Sequence, residues 1–255
     1  MGSTNTPNRP VKTAYTMFGI IELLQERDGA TLSEVADELD VAKSTAHDHL
    51  TTLIDLEYLV RRDDAYHLSL KFLDHGIYAK QERQVARKAR PILEELARDT
   101  GECAWLLVEE TGLSVFLEGV IDERGVAAEE RIGLRRPLHC HAAGKAILAK
   151  MDDEEVRHVI DRHGLPAHTD RSITDADALF EELATVRDRG YAISQGEITQ
   201  GLNGVAAGID IDGLVRGSVA VSGPSKRLQN ETLTERLPEA VLGATNALEL
   251  ELTYQ

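Results

Sequence analysis

The first part of the chain carries apolar side chains at helical spacing in three successive runs. The first run covers 12–27 and ends at an Asp-Gly pair, a common stop for a helix. Thr31 and Glu34 then stand three residues apart, which is the spacing of a capping box and predicts the start of a second helix. A third helix is predicted over 43–59. Its inward face is formed by Ala46, Leu50, Leu53 and Leu56.

A short alternating pattern follows the third helix. The stretch YLVRRDDAYHLSL, residues 58–70, has two alternating segments on either side of Asp63 and Asp64, which predicts a two-strand hairpin. Three helices and a hairpin within about sixty residues are the outline of a winged helix-turn-helix domain. We assign this domain to residues 9–68, and we expect residues 1–8, which are poor in apolar side chains, to form a flexible tail.

The rest of the chain changes from helices alone to a mixture of strands and helices. Helical patterns over 70–81 and 85–100 come first, with Pro91 as an expected kink or restart, and we assign residues 69–85 to a linker helix. Residues 86–255 then form one larger domain, so the fold class is α+β. Strands are predicted over 103–108, 115–121, 191–194, 205–211 and 214–222, the last two joined by an Asp212-Gly213 turn, and helices over 142–151, 153–162, 175–189 and 233–252.

Composition limits the classes of protein to which the chain can belong. Its 255 residues suffice for one small and one medium domain, each with its own core. Only two cysteines are present, Cys103 and Cys140, which is too few for a disulfide framework. No apolar run is long enough to span a bilayer and no charged-then-apolar leader opens the sequence, so we expect a cytoplasmic protein with no membrane partner.

The chain is strongly acidic, with 44 acidic and 28 basic residues and a formal net charge of -16. Lysine is scarce, since 20 of the basic residues are arginine. A strongly charged surface keeps a protein soluble in concentrated salt, where the Debye length falls to about 3 Å, so we interpret the acidity as a sign of a halophilic source. Residues 1–80 alone hold 8 basic and 13 acidic side chains, so DNA binding by a winged helix-turn-helix in this region would have to outweigh an unfavourable mean electrostatic field.

The stretch LHCHAAGKAILA, residues 138–149, raises four hypotheses. A zinc site needs three or four converging ligands, but on an extended segment His139 and His141 face one side and Cys140 the other, with no suitably spaced partners elsewhere. A phosphate loop needs Ser or Thr after the Gly-Lys pair, where this chain has Ala146. A Cys140 nucleophile is conceivable, but adjacent residues on a strand do not pair their side chains.

The fourth hypothesis concerns the helix predicted to begin after His141. Ala142, Ala143 and Gly144 are small, so the backbone amides of this first turn are expected to be open to an anion, which the helix dipole also favours. The alternative is that the same small residues only permit close packing between helix and sheet. The sequence leaves both interpretations open.

Three stretches together resemble the IclR family of transcriptional regulators. They are the KSTAH segment of the third helix, LHCHAAGKAILA, and the run SQGEITQGLNGVAAGIDIDGLVRGSVAVSGPSKRL at residues 194–228. The resemblance extends from about Arg9 onward, and the order and spacing of the stretches carry it. It implies a winged helix-turn-helix, a helical linker and a GAF-like effector domain with a curved antiparallel sheet flanked by helices.

In a helix-turn-helix, the second helix of the pair enters the major groove and its first turns face the base edges. Hydroxyl and charged side chains there can contact phosphates or base edges, and a basic hairpin edge can meet the DNA backbone. We therefore assign DNA contacts to Lys43, Ser44, Thr45, His47, Asp48, Thr51, Arg61 and Arg62. The alternative interpretation is that these residues are the solvated polar faces of a small helical domain.

The resemblance also implies a pocket for a small effector, which similar regulators fill with a carboxylate. Two serines would supply polar contacts, the amides at the helix start an anion site, and a leucine an apolar wall. A glycine stands where several relatives have cysteine, which implies a larger cavity with one weak donor fewer. Carried over position by position, the effector-binding residues are Leu134, Ala142, Ala143, Gly144, Ser194, Gly204 and Ser222.

Together these features predict a ligand-responsive transcriptional regulator that binds palindromic operator DNA as a homodimer or a dimer of dimers, without a cofactor or metal. A ligand shifts an equilibrium only by its differential affinity for two states, so the sequence leaves activation and repression open. One alternative is an enzyme that acts on a small acid through the C-terminal domain, although this domain lacks an evident nucleophile-base pair or set of metal ligands. The other alternative is an adaptor that uses the winged helix for protein contacts.

Overall fold

A computed structural model describes residues 11–123, 125, 130–211 and 215–254. The chain divides into two compact units, with the boundary between Ala79 and Lys80, inside the linker predicted over 69–85. The tail predicted at residues 1–8 and the predicted Asp212-Gly213 turn lie outside the described residues. Within the described ranges, no helix combines the length and the apolar content that crossing a membrane requires.

The first unit contains the three predicted helices and the predicted hairpin. Its strands form an antiparallel sheet in the order β1-β3-β2, and side chains from all three helices, among them Ile20, Val35 and Leu50, pack into one core. The winged helix-turn-helix fold is therefore confirmed. The elements are α1 (Lys12–Glu26), β1 (Ala30–Thr31), α2 (Leu32–Glu38), α3 (Lys43–Asp55), β2 (Leu59–Arg62) and β3 (Ala65–Leu68).

The predicted capping box fixes the start of α2. The Thr31 side chain accepts a hydrogen bond from the backbone N–H of Glu34, and the Glu34 carboxylate accepts one from the backbone N–H of Thr31. The hydrogen bonds from Thr31 lower the pKa of Glu34 because they favour its ionised form. The cap sets where the first helix of the helix-turn-helix pair begins.

The third helix ends four residues earlier than predicted. Glu57 has a φ of 63°, outside the helical region, and Leu59 is buried as the first residue of β2, where it pairs with Leu68. Leu56, predicted to face the core, is exposed. Apolar spacing cannot separate helix from strand here, because Leu59 continues the helical period. The pattern also does not reveal β1, since two residues are too few to alternate.

Two helices follow the winged helix, namely α4 (Lys71–Gln81) and α5 (Gln84–Thr100). Residues 69–85 are therefore not one continuous helix, because the first turn of α5 already begins within them. Val85 is buried in the core of the second unit, one residue before the predicted start of that domain. Pro91 lies inside α5 without ending it. Gly101, with a φ of 71°, terminates α5 in the left-handed conformation that glycine adopts readily.

Within the described residues, the second unit is built on a six-stranded antiparallel sheet in the order β6-β5-β4-β9-β8-β7. Strands β8 and β9 pair as far as Ile211 and Val215, as expected for a hairpin. The sheet and its helices confirm the α+β fold class. The strands are β4 (Cys103–Glu110), β5 (Leu113–Ile121), β6 (Arg135–Pro137), β7 (Ala192–Gln195), β8 (Leu202–Ile211) and β9 (Val215–Pro224), and the helices are α6 (Ala142–Leu148), α7 (Asp153–His163), α8 (Ala176–Arg189) and α9 (Leu237–Thr253).

The two faces of this sheet bury separate cores. Helices α5 and α9 cover one face, which includes Leu106, whereas α6 and α8 cover the other, which includes Trp105 and Leu107. A bulge in β5 opposite Leu106 and Leu107 inserts one extra residue. Because of this bulge, Phe116 joins the α6 side while Glu118, two residues later, contacts α5 on the opposite side.

Candidate functional site

The exposed start of α3 is the candidate DNA-contacting surface. Its N-cap residue, Ala42, makes no side-chain hydrogen bond, and the first turn has no acidic residue, so no side chain of this turn compensates the positive end of the helix dipole. Such a helix start suits an anion such as a DNA phosphate. All of the predicted contact residues on this helix are exposed, namely Lys43, Ser44, Thr45, His47, Asp48 and Thr51.

The basic side chains near this surface are partly engaged within the unit. Lys43 Nζ donates a hydrogen bond to Ser33 Oγ of α2 at 3.0 Å. On the β2-β3 hairpin, a guanidinium nitrogen of Arg61 lies 3.2 Å from the Asp64 carboxylate, and Arg62 is exposed. The structure thus groups the six α3 residues on one helix end and places the two arginines on the separate hairpin.

The segment that contains His139 and Cys140 does not have the extended conformation predicted for it. Leu138–Cys140 form a 3₁₀ turn, and His139, Cys140 and His141 are all buried. Burial raises the pKa of Cys140 to about 12, so its thiol is protonated at neutral pH and unsuited to act as a nucleophile. Among the described residues, no three histidine, cysteine or carboxylate side chains are grouped to hold a metal ion.

His141 caps helix α6. Its Nδ1 accepts a hydrogen bond from the backbone N–H of Gly144 at 3.3 Å, so this nitrogen carries no proton. Its Nε2 lies 2.9 Å from Ser114 Oγ and donates to it, and Ser114 in turn donates to the Arg136 carbonyl oxygen. Burial lowers the pKa of His141 to about 3, so the ring stays neutral at physiological pH and the hydrogen-bond chain is maintained.

This cap engages one of the three amides of the anion site predicted at the start of α6. The amide of Gly144 is already bonded to His141, so it is not available to a ligand. A β-carbon at Gly144 would lie 2.1 Å from the carbonyl oxygen of Leu138, so only glycine permits this close approach. The close-packing alternative therefore explains Gly144.

A small cavity lies between α6 and the sheet, and we call it the Ser222 cavity. Its volume is about 40 Å³. Of the predicted effector-binding residues, Leu134 does not line it and packs instead against the neighbouring apolar core, and Gly144 is also absent from its walls. The predicted residues that do line it are Ala142, Ala143, Ser194, Gly204 and Ser222.

The aromatic and acidic walls of the cavity are not among the predicted site residues. Trp105 and Phe116 meet edge to face with their ring centroids 5.2 Å apart, and only the uniqueness of the tryptophan could have drawn attention to them. Trp105 Nε1 donates to Ser222 Oγ at 3.2 Å, and Ser222 Oγ donates to Glu130 Oε2 at 3.0 Å. Burial raises the pKa of Glu130, although the Ser222 hydrogen bond and the charge of Arg136 oppose the shift. No spacing or composition marks Glu130 in the sequence.

A buried ion pair borders the cavity. Lys145 of α6 has only 2% of its side chain exposed, and its Nζ lies 2.9 Å from the Glu197 carboxylate and 3.1 Å from that of Glu182. Lys145 and Glu197 belong to two of the stretches that carry the family resemblance. Glu197 directly precedes Ile198, which lines the Ser222 cavity. The ion pair therefore holds the edge of the cavity against α6.

Both units match known families of sequences. Residues 17–63 match the IclR helix-turn-helix domain, and residues 78–249 match the bacterial transcriptional regulator IclR C-terminal domain. The chain is also 32% identical to the probable HTH-type transcriptional regulator ArcR of Halobacterium salinarum, over 98% of this chain and 97% of that protein. The similarity thus covers the winged helix and the sheet domain together.

Solved structures are similar over nearly the whole chain. An IclR transcriptional regulator from Alicyclobacillus acidocaldarius has a TM-score of 0.78 at 26% identity, over 94% of this chain and 98% of that one. An IclR homologue from Microbacterium hydrocarbonoxydans, complexed with 4-hydroxybenzoate, has a TM-score of 0.73 at 25% identity, over 92% and 97% of the two chains.

Proposed function

Because this chain belongs to the IclR family of transcriptional regulators, we propose that it binds operator DNA through α3 and that a small effector in the Ser222 cavity changes this binding. The chain is a regulator and not an enzyme, in keeping with its relatives. The exposed, uncompensated start of α3 is the observation that carries the DNA-binding role. We infer a cytoplasmic location, since operator DNA lies there, and a halophilic source, which the acidity and the Halobacterium relative support.

Exposed apolar side chains support an oligomer, either a homodimer or a dimer of dimers. On α1, Tyr15 and Phe18 are 71% and 64% exposed and share one helix face at a spacing of three. On α4, Leu73 and Ile77 are exposed at a spacing of four. Groups of exposed apolar side chains often mark protein contacts. Paired copies would present two α3 helices to half-sites about 34 to 36 Å apart in a palindromic operator.

We propose that the effector is a small carboxylate. The hydroxyls of Ser194 and Ser222 belong to the cavity wall, and hydrogen bonds from such donors are stronger to a carboxylate than to a neutral acceptor. Trp105 and Phe116 offer an aromatic surface to the body of the ligand. The similar regulator complexed with 4-hydroxybenzoate supports this class of ligand.

Within the second unit, Glu118 holds Lys80 and helix α5 against the sheet. Its buried carboxylate lies 2.7 Å from Lys80 Nζ at the end of α4 and 3.4 Å from a guanidinium nitrogen of Arg90 on α5. Phe116 of the same strand lines the Ser222 cavity from the opposite face of the sheet. A shift of β5 caused by an effector would therefore move Glu118, and with it the end of α4 that Lys80 holds. We propose that the effector signal leaves the cavity through this strand.

Replacing Glu118 with glutamine should loosen the end of α4. The substitution removes the charge that pairs with Lys80, so we expect trypsin to cleave after Lys80 about tenfold faster, which corresponds to roughly 1.4 kcal/mol of lost local stability. Glu94→Gln is the matched control, because Glu94 forms an exposed pair with Arg90 one turn along α5. Equal cleavage of Glu118→Gln and wild-type protein would show that the ion pair does not anchor the linker.

Specific DNA binding is the decisive test of the proposed function. In a gel-shift at molar potassium chloride, we expect a band with the protein's own upstream DNA that unrelated DNA of the same length does not compete away. Concentrated salt suppresses the counterion contribution, so a surviving band reports contacts with bases and DNA shape. The lack of a specific band at every salt concentration would instead favour an adaptor that uses the winged helix for protein contacts.

A further inference from the structure

We propose that the chain supplies its own ligand to the Ser222 cavity: the carboxylate of Glu130 occupies the polar end of the cavity, and a carboxylate effector must displace it. This inference rests on the proposed effector role of the cavity and adds the group with which the effector competes. Glu130 and Ser222 are 92 residues apart in the sequence. Their contact is therefore a product of the tertiary fold and not of local chain geometry.

The hydroxyl hydrogen of Ser222 is committed to Glu130. Ser222 Oγ donates a hydrogen bond to Glu130 Oε2 at 3.0 Å. Ser222 Oγ also accepts a hydrogen bond from the indole N–H of Trp105 at 3.2 Å. A serine hydroxyl has a single hydrogen to donate. A carboxylate effector consequently has no donor at Ser222 while Glu130 is in place.

The free space beside Glu130 is far smaller than an ordinary ligand pocket. Glu130 lines both the Ser222 cavity and an adjoining cavity, whose volumes are about 40 Å³ and about 30 Å³. Pockets that hold small organic ligands usually measure about 300 to 1,000 Å³. Phe116, His141 and Leu202 also line both cavities. Withdrawal of the Glu130 side chain would merge the two spaces into one.

Charge also prevents the two carboxylates from sharing this end of the cavity. Burial already raises the pKa of Glu130, and a second negative charge beside it would add like-charge repulsion. Arg136 lines the adjoining cavity and is the cation that either carboxylate would face. Glu130 lies outside every helix and strand, so its departure breaks no hydrogen-bond ladder. Exchange of one carboxylate for another preserves the local charge balance.

Internal competition of this kind sets the effector affinity. The apparent Kd equals the intrinsic Kd divided by the fraction of molecules whose cavity is free. If Glu130 fills the cavity in about nine molecules of ten, its removal strengthens effector binding about tenfold. An effector that fits the cavity must therefore bind tightly enough to overcome the internal carboxylate.

Trp105 provides a direct measurement, because it is the single tryptophan of the chain and donates to Ser222. Its emission would be titrated with potassium acetate at constant total potassium. We expect Glu130→Ala to change the emission before acetate is added, to bind acetate about tenfold more tightly than the wild type, and to regain wild-type emission at saturation. Glu130→Gln keeps an acceptor of the same size at Ser222 but removes its charge, so it should bind acetate more tightly than the wild type and less tightly than Glu130→Ala.

Glu123→Ala is the matched control, because it removes an exposed carboxylate from the same connection between β5 and β6. It should leave both the emission and the acetate affinity unchanged. Unaltered emission in Glu130→Ala, or an acetate affinity equal to that of the wild type, overturns the proposal. The titration contains no DNA, so failure of the gel-shift would overturn the proposed function alone and leave the acetate result intact.

Discussion

Replacing Lys145 with methionine should destabilise the second unit by about 3 kcal/mol, because a buried carboxylate loses its cation. Methionine keeps most of the apolar length of the side chain, so the loss reflects charge more than packing. Glu197 is the carboxylate affected, since Glu182 retains Arg189 at 3.4 Å. Among the described residues, one carboxylate oxygen of Glu197 already lacks a hydrogen-bond partner. Thermal unfolding should show a Tm lower by about 6 to 12 °C.

Two further variants identify the cause of this loss. Lys145→Met combined with Glu197→Gln should recover most of the stability, because no unpaired charge remains buried. Lys150→Met alters an exposed lysine just beyond α6 and should leave the Tm unchanged. A double variant as unstable as Lys145→Met would attribute the loss to packing and not to the charge of Glu197.

The stability lost in Lys145→Met should also depend on pH. Burial raises the pKa of Glu197, and removal of the nearby ammonium raises it further. A carboxyl whose pKa is higher in the folded state stabilises that state at low pH, and this contribution disappears as the pH rises through the folded-state pKa. The difference in unfolding free energy between wild type and variant should therefore be smaller at pH 5 than at pH 8. A difference that grows toward pH 5 would contradict the assignment.

The winged helix could be predicted from the sequence because its elements follow local rules. The capping box of Thr31 and Glu34 and the alternating segments around Asp63 each lie within a few residues of chain. The predicted element boundaries are wrong where a tertiary contact determines whether a residue belongs to a helix or a strand. Leu59 continues the period of α3 but pairs with Leu68 across the hairpin, and no local pattern separates these outcomes.

The cavity could be predicted only in part, because its polar groups come from distant parts of the chain. The resemblance assigns Ser194 and Ser222 to an effector pocket, and both residues line the Ser222 cavity. Glu130 meets Ser222 across 92 residues, and Lys145 meets Glu197 across 52. No periodicity encodes such pairs. The capping role of His141 could not be predicted for a different reason. It depends on the 3₁₀ turn at Leu138–Cys140, which directly precedes His141.

Replacing Ser44 with glutamate should weaken specific DNA binding about 100-fold without harming the fold. A base or phosphate contact is lost and a negative charge faces the DNA, which together cost roughly 3 kcal/mol. The new carboxylate lies in the first turn of α3, where no acidic residue stands at present. A negative charge there interacts favourably with the helix dipole, so the Tm should stay equal or rise slightly. Gel-shift titration and thermal unfolding measure the two effects.

Thr185→Glu is the matched control for Ser44→Glu, because it changes the net charge equally at an exposed position of α8. It should leave DNA affinity nearly unchanged at molar salt, where a charge acts only over about 3 Å. Equal weakening by both variants would mean that total charge and not the α3 surface controls binding. An undiminished specific band with Ser44→Glu would place the DNA contacts elsewhere. Loss of binding confined to Ser44→Glu, at full thermal stability, would locate DNA recognition at the start of α3.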